Sequence, residues 1–138
     1  MILGLDAAKN RTGWALLDDD ERLVETGAIV TDHSDEDRRR AFSAVRDELV
    51  SISRTHEVSG VFVEGAFLGP SAKVALEHAR WIGSFEVLAW RVFRHALIEI
   101  MPPREWRSSL GIRGKGKGSA LTYAVGRWPE LEGRSQDE

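Results

Sequence analysis

Two carboxylates in this sequence follow short apolar segments, and these two residues are the best placed to carry out chemistry. Asp6 comes directly after the apolar residues 2–5 (ILGL), and Glu64 ends the segment Gly60–Glu64 (GVFVE). Short apolar runs of this kind are typical of buried strands. Two strands that end side by side in one sheet would bring the acids together, and the pair would repel itself without a cation. Such pairs commonly hold hard divalent ions such as Mg²⁺ through oxygen, whereas an isolated acid more often caps its own turn.

The elements that would position these acids can be predicted from the apolar pattern. Residues 2–5, residues 13–17 and Leu23–Val30 are predicted strands, and the acidic turn at residues 18–22 predicts that the last two form an antiparallel hairpin. Later elements follow from helical spacing, caps and prolines. They are a helix ending near residue 56, a strand at 60–64, a helix from 71 to about 95 capped by Ser71, a buried strand at 96–101, a short helix at 103–110, and a helix to about 127 capped by Ser119.

The predicted order βββ-α-β-α-β-α indicates a mixed α/β fold, in which an antiparallel meander leads into parallel βαβ units. A length of 138 residues suits one domain over the whole chain, with enough apolar residues, at 42%, for a real core. The absence of cysteine excludes a disulfide framework, a thiolate zinc site and a cysteine nucleophile. No apolar run approaches the length of a membrane span, and no signal peptide is evident, so we expect a cytoplasmic protein without membrane contact.

Charge is distributed unevenly along the chain, although the net charge is only −3. Residues 1–90 carry ten basic and sixteen acidic side chains, whereas residues 91–127 carry eight basic and two acidic ones. A basic block inside an acidic chain is typical of a phosphate-binding face, or is a solvated surface whose charges happen to cluster. Within it, residues 111–118 (GIRGKGKG) nearly match a P-loop, but Gly118 replaces the magnesium-binding hydroxyl and a polar helix, not a strand, precedes the segment. The P-loop interpretation is therefore rejected.

Three segments taken together resemble a known family. GLDAAKNRTGWAL resembles the opening motif of RuvC-type Holliday junction resolvases, VFVEGAFLGPSAKVALEHAR resembles their second motif, and WRSSLGIRGKGKGSALTYAV is similar to their basic segment. The order and spacing of the three match over nearly the whole chain, and phage versions of the family are the most similar. The resemblance implies an RNase H-like fold, with a mixed five-stranded sheet flanked by helices.

The resemblance also implies roles for particular residues. Asp6 and Glu64 would be metal-binding catalytic acids that hold Mg²⁺ or Mn²⁺, two ions to a site, for hydrolysis of phosphodiester bonds in branched DNA. Lys117, or alternatively Lys115, would contact the scissile phosphate, with Arg113 beside them on the DNA-binding loop. Phe67 falls where the family places an aromatic residue that stacks into the opened junction, at about 1–3 kcal/mol per stacked base.

Two departures from the family pattern affect the expected site. Ala7 and Ala8 stand where the family has Pro-Gly after the first acid. The family closes its site with two acids three residues apart at the start of a final helix; Asp137 matches the first, and the second would lie two residues beyond Glu138. We therefore expect three site acids, Asp6, Glu64 and Asp137, impaired metal binding and no final helix.

The long helix predicted for residues 71–95 carries more apolar side chains than one sheet face requires, among them Trp81 and Trp90. A homodimer formed through this helix agrees with the resemblance, because two active sites must cut two strands; half-buried amphipathic side chains are the alternative. Two other functions stay open at this stage. One is a non-catalytic DNA-binding or scaffold module of the same fold, and the other is a fragment of an actin-like or sugar-kinase-type ATPase.

Overall fold

A computed structural model describes residues 1–8, 11–30, 38–66, 71–113 and 117–133 of the chain. Five strands form one sheet in the order β3-β2-β1-β4-β5. The strands are β1 Ile2–Ala7, β2 Arg11–Leu17, β3 Leu23–Val30, β4 Gly60–Glu64 and β5 Leu97–Met101. The helices are α1 Arg38–Thr55, α2 Ala72–Val92, α3 Pro103–Ser109 and α4 Lys117–Arg127, followed by a short 3-10 turn at Pro129–Leu131. None of these helices is long and apolar enough to cross a membrane.

The first three strands form the predicted antiparallel meander. In the β1–β2 pair Asp6 lies opposite Gly13, and in the β2–β3 pair Trp14 lies opposite Gly27. The Trp14 indole covers Gly27 so closely that a Cβ atom there would lie 2.6 Å from the ring. Glycine is thus required at this position because the buried indole occupies the space that a side chain would need.

β1 and β4 are parallel neighbours, and the crossover between them contains α1. β4 then pairs in parallel with β5 across α2. The connection from β1 to β4 also includes β2 and β3. Because β1, β4 and β5 run parallel, their carboxyl ends lie at one end of the sheet. The mixed α/β fold predicted from the order of elements is confirmed.

The hydrophobic core lies between one face of the sheet and the helices α1 and α2. Strand residues alternate between the two faces, so Leu3 and Leu5 of β1 and Val61 and Val63 of β4 all point into this core and are buried. α2 contributes Phe85, which is fully buried, together with Trp81, whose ring meets Phe85 edge to face at a centroid distance of 6.0 Å.

Three details of the predicted elements are wrong. β5 is the edge strand of the sheet, so it is only partly covered, and Leu97 is 62% exposed. α2 ends at Val92, three residues before the predicted end, because the backbone of Phe93 leaves the helical conformation. α4 begins at Lys117, so Ser119 lies inside its first turn and does not cap it. Ser71 does cap α2, accepting a hydrogen bond from the amide of Val74.

Candidate active site

Asp6 and Glu64 lie side by side at the end of the sheet where the parallel strands β1 and β4 have their carboxyl ends. The parallel register of β1 and β4 pairs Leu5 with Val63, so the next residue on each strand is one of the two acids. Since Leu5 and Val63 point into the core, Asp6 and Glu64 point to the opposite face, away from α1 and α2. Asp6 is exposed, Glu64 is half-buried, and their carboxyl groups are within hydrogen-bonding reach of each other. The pairing predicted for these two acids is therefore confirmed.

Glu64 has a perturbed acidity. Burial raises the pKa of the Glu64 carboxyl, and the negative charge and hydrogen bonding of Asp6 raise it further. A hydrogen bond from Trp106 and the positive charge of Arg107 act in the opposite direction without cancelling the rise. The pair thus carries unfavourable negative charge, which a proton or a cation would relieve.

The turn that follows Asp6 is fastened to α2 by two side chains one helical turn apart. Nε2 of His78 lies 3.1 Å from the carbonyl oxygen of Ala7, and Nε1 of Trp81 donates to the carbonyl oxygen of Ala8 at 3.0 Å. Trp81 is itself held by the edge of Phe42, at a centroid distance of 4.5 Å. Asp6 therefore lies on a strand whose end is tied to the main helix of the core.

Two residues of α3 that the sequence reasoning did not single out complete the surroundings of the acids. Nε1 of Trp106 donates to Oε1 of Glu64 at 3.0 Å, and the guanidinium of Arg107 lies 4.9 Å from the centroid of the Trp106 ring. Arg107 also reaches Oγ of Ser119 at 3.3 Å, which links α3 to the first turn of α4. An indole in a short polar helix directly after a strand was the available signal, but only the sheet order shows that β5 lies beside β4.

The other predicted site residues lie in the segment that leads into α4 or outside the described residues. Lys117 begins α4, two residues before the serine that Arg107 contacts, but its side chain is not among the described ones. Arg113 is exposed. Phe67, Lys115 and Asp137 lie outside the described residues, so their roles stay predictions.

The chemistry of the acidic pair fits a hard divalent cation. In the described ranges no group of three or more His, Asp or Glu side chains could hold a metal, so Asp6 and Glu64 stand there as a pair. Mg²⁺ is usually bound through one or two carboxylates, with water and substrate phosphate filling the other positions. Two adjacent carboxylates, one of which already resists ionisation, meet that requirement.

The raised pKa of Glu64 predicts how metal-free stability depends on pH. A carboxyl whose pKa is raised in the native state keeps its proton at pH values at which the unfolded chain has already lost it. Its contribution to the free energy of unfolding is therefore present at acidic pH and is lost as pH rises through the native pKa. Glutamine cannot ionise, so the Glu64→Gln variant does not lose this stability as pH rises, and its amide oxygen can still accept the hydrogen bond from Trp106. We expect the variant, unfolded with urea in EDTA, to match the wild type at about pH 4 and to be more stable than it at pH 7.

Glu77→Gln on the exposed surface of α2 is the matched control and should show no such crossover. Added Mg²⁺ should raise the free energy of unfolding of the wild type more than that of Glu64→Gln. A Glu64→Gln variant that is less stable than the wild type at pH 7 without metal would contradict the assignment.

The sheet order, with a carboxylate on its first and fourth strands, defines an RNase H-like fold. Among solved structures, Thermus thermophilus RuvC in complex with Holliday junction substrate matches with a TM-score of 0.71 and 14% identity, over 91% of this chain and 76% of that chain. A second Thermus thermophilus RuvC structure matches with a TM-score of 0.66 and 14% identity, over 91% and 78% of the respective chains. The predicted five-stranded RNase H-like fold is confirmed.

Sequence comparison also finds RuvC proteins, from other organisms. The chain is 32% identical over 85 residues to the crossover junction endodeoxyribonuclease RuvC of Ehrlichia chaffeensis. This alignment covers 59% of this chain and 54% of that protein. Its identity to RuvC of Ehrlichia canis is 27% over 85 residues, with the same coverage. The chain thus spans about half the length of the curated relatives it matches, and no protein-family model matches it. The resemblance to RuvC-type resolvases inferred from the motifs is confirmed in both sequence and fold.

Proposed function

We propose that this protein is a metal-dependent, structure-selective endonuclease that cleaves phosphodiester bonds in Holliday junctions or other branched DNA. The observation that carries the proposal is the placement of Asp6 and Glu64 on adjacent parallel strands of an RNase H-like sheet, where the two carboxyl groups interact closely enough to raise the pKa of Glu64. The curated relatives are crossover junction endodeoxyribonucleases, and one structural neighbour is RuvC in complex with a Holliday junction substrate.

The acids would hold Mg²⁺ or Mn²⁺, two ions to a site, with Asp137 as the third protein ligand. When bound, the metal would activate water for in-line attack and stabilise the leaving oxygen. Asp6 supplies an exposed carboxylate towards solvent, and Glu64 supplies a partly desolvated one whose charge the hydrogen bond from Trp106 supports. Because the two ionised carboxylates would repel each other, the binding of a cation between them would be favoured.

DNA would approach along the basic segment that leads into α4. Lys117 or Lys115 would neutralise charge developing on the phosphate, and Arg113 would contact the backbone beside it. Arg107 links this segment to the acidic pair, because it contacts both the Trp106 ring and Ser119 of α4. Phe67, three residues after Glu64, would stack on a base of the opened junction.

The test compares a four-way junction with a linear duplex of the same sequence, each incubated with Mg²⁺ or with EDTA. We expect incisions near the branch point of the junction only, and only with Mg²⁺. Binding of the junction without incision at any Mg²⁺ or Mn²⁺ concentration would instead favour the non-catalytic DNA-binding module.

A homodimer formed through α2 would place two such sites on one junction. The face of α2 opposite the core carries Leu76, Val87 and Trp90 in one stripe, and these side chains are 66%, 51% and 57% exposed. Three large apolar side chains in one stripe on a helix are typical of a surface that packs against a partner.

We expect Val87→Glu combined with Trp90→Glu to shift the protein from dimer to monomer in analytical ultracentrifugation, because the like charges would face each other across a two-fold axis. Leu97→Glu, an equally exposed apolar residue on edge strand β5, is the matched control and should leave the dimer intact. A wild-type protein that is monomeric at micromolar concentration would contradict dimer formation through this face.

A further inference from the structure

The indole of Trp106 lies directly against the acidic pair, although α3 supplies neither acid. Its Nε1–H donates to Oε1 of Glu64 at 3.0 Å, and both side chains are half-buried. A hydrogen bond between a neutral donor and an ionised carboxylate is stronger than one between neutral groups, especially where water is partly excluded. The contact is therefore strong enough to determine how the Glu64 carboxylate is oriented.

The backbone explains why the indole reaches Glu64. Gly65, directly after Glu64, donates its amide to the carbonyl oxygen of Met101 at 2.9 Å. A Cβ atom on Gly65 would lie only 3.2 Å from Cα of Pro102, so the glycine allows β4 to end tightly against the start of α3. Trp106 lies one helical turn further on, with its amide donating to the carbonyl oxygen of Pro102 at 3.3 Å. This turn brings the indole back over the end of β4.

Arg107 holds the plane of the ring. Its guanidinium lies 4.9 Å from the indole centroid, a cation–π distance, and Nη1 donates to Oγ of Ser119 on α4 at 3.3 Å. One face of the indole thus contacts the Arg107 guanidinium, which is hydrogen-bonded to α4, and the N–H edge of the ring is hydrogen-bonded to Glu64. A ring held in this way has little freedom to move away from the carboxylate.

The orientation matters because Asp6 repels Glu64. A glutamate side chain has three rotatable bonds, and an unanchored Glu64 would turn its carboxylate away from Asp6 whenever both were ionised. The bond from Trp106 needs only one lone pair of Oε1, so the ionised carboxylate keeps further lone pairs with which it could bind a cation. Keeping the carboxylate beside Asp6 before a cation arrives lowers the cost of assembling the site.

We propose that Trp106 is a positioning residue for the metal site, in that its indole N–H holds Glu64 in the orientation in which it shares a cation with Asp6. The proposal rests on the metal-binding function proposed above for the two acids. It assigns the indole no contact with substrate and no part in the chemical step.

The test is Mn²⁺ binding by the full chain, measured by electron paramagnetic resonance of free Mn²⁺ without DNA. Trp106→Phe keeps an aromatic ring beneath Arg107 and removes only the N–H donor. We expect its Kd for Mn²⁺ to rise about tenfold, the lower end of the effect of losing a partner that orients a metal ligand. In junction cleavage, the Mg²⁺ concentration at half-maximal rate should rise by a similar factor, whereas the rate at saturating Mg²⁺ should stay within about twofold.

Trp128→Phe is the matched control. Its Nε1 also donates a hydrogen bond, to the carbonyl oxygen of Glu21 at 2.9 Å. This bond is made at the β2–β3 turn, at the other end of the strands from the acidic pair. This control loses the same kind of contact and should bind Mn²⁺ as the wild type does. A merely structural role for Trp106 would lower the Tm of its variant while leaving the Kd for Mn²⁺ equal to that of the control.

A second measurement on the wild type does not depend on the folding of a variant. In a ¹H–¹⁵N spectrum, Mg²⁺ should move the indole resonance of Trp106 to lower proton chemical shift, because the cation draws electron density from Glu64 and weakens the hydrogen bond. The indole resonance of Trp128 should stay in place. A Trp106 resonance unmoved at saturating Mg²⁺ would overturn the proposal.

The outcomes separate this proposal from the proposed function. If Glu64→Gln loses Mn²⁺ binding while Trp106→Phe binds as the wild type does, the acids form a metal site and the positioning role of Trp106 is refuted. If the wild type itself binds no Mn²⁺, the metal site fails, and the role of Trp106 fails with it. Weaker binding by both Glu64→Gln and Trp106→Phe, with Trp128→Phe unchanged, would establish the proposal.

Discussion

Asp6→Asn is expected to reduce the rate of junction cleavage by about 10³-fold or more while leaving junction binding equal to or tighter than that of the wild type. The substitution keeps the size of the side chain but removes the negative charge that would hold the metal. A metal contributes several kcal/mol of transition-state stabilisation, and each 1.36 kcal/mol corresponds to a factor of ten in rate. Binding should persist because Asp6 is expected to hold the metal and not a phosphate, and because its negative charge would repel the DNA backbone.

Single-turnover cleavage of a labelled four-way junction and an electrophoretic binding assay in EDTA would measure the two effects separately. Asp47→Asn is the matched control, because Asp47 is an exposed aspartate on α1 that forms an ion pair with its neighbour Arg46. The control should cut and bind as the wild type does. An Asp6→Asn protein that still cuts at more than a few per cent of the wild-type rate would show that the acidic pair is not the metal site.

Phe85→Ala is expected to lower the free energy of unfolding by about 3–5 kcal/mol, which is the usual cost of removing a buried aromatic side chain. Phe85 is fully buried in the middle of α2 and packs against Trp81, so its loss leaves a cavity that the surrounding strands cannot fill. Since the stability of a small domain is about 5–15 kcal/mol, a large part of it would be lost. Urea unfolding followed by circular dichroism measures this change.

Glu77→Ala on the exposed side of the same helix is the control and should change the free energy of unfolding by less than about 0.5 kcal/mol. A loss of less than about 1 kcal/mol for Phe85→Ala would mean that α2 does not pack on the sheet as described. That packing also carries His78 and Trp81, which hold the turn after Asp6. Partial misplacement of α2 should therefore weaken Mn²⁺ binding as well as stability.

Local sequence patterns were sufficient to predict most of the elements. Leu23–Val30 and Gly60–Glu64 have the bounds predicted for them, since apolar alternation and flanking turn residues act over a few neighbouring positions. Ser71 was predicted correctly as the N-cap of α2 for the same reason, because a serine side chain can reach an amide three residues on. Its counterpart Ser119 was assigned wrongly, because α4 begins two residues earlier and Arg107 of α3 contacts this serine instead.

The sequence by itself determined which acids lie at strand ends, and hence that Asp6 and Glu64 are candidates for one site. Only the tertiary structure decided that β1 and β4 are parallel neighbours in register, and that both carboxylates turn away from the core. It also decided that Trp106 meets Glu64 across 42 positions of the chain. The physical reason is that strand order, register and helix placement depend on how the whole core is buried, and no short stretch of sequence carries that information.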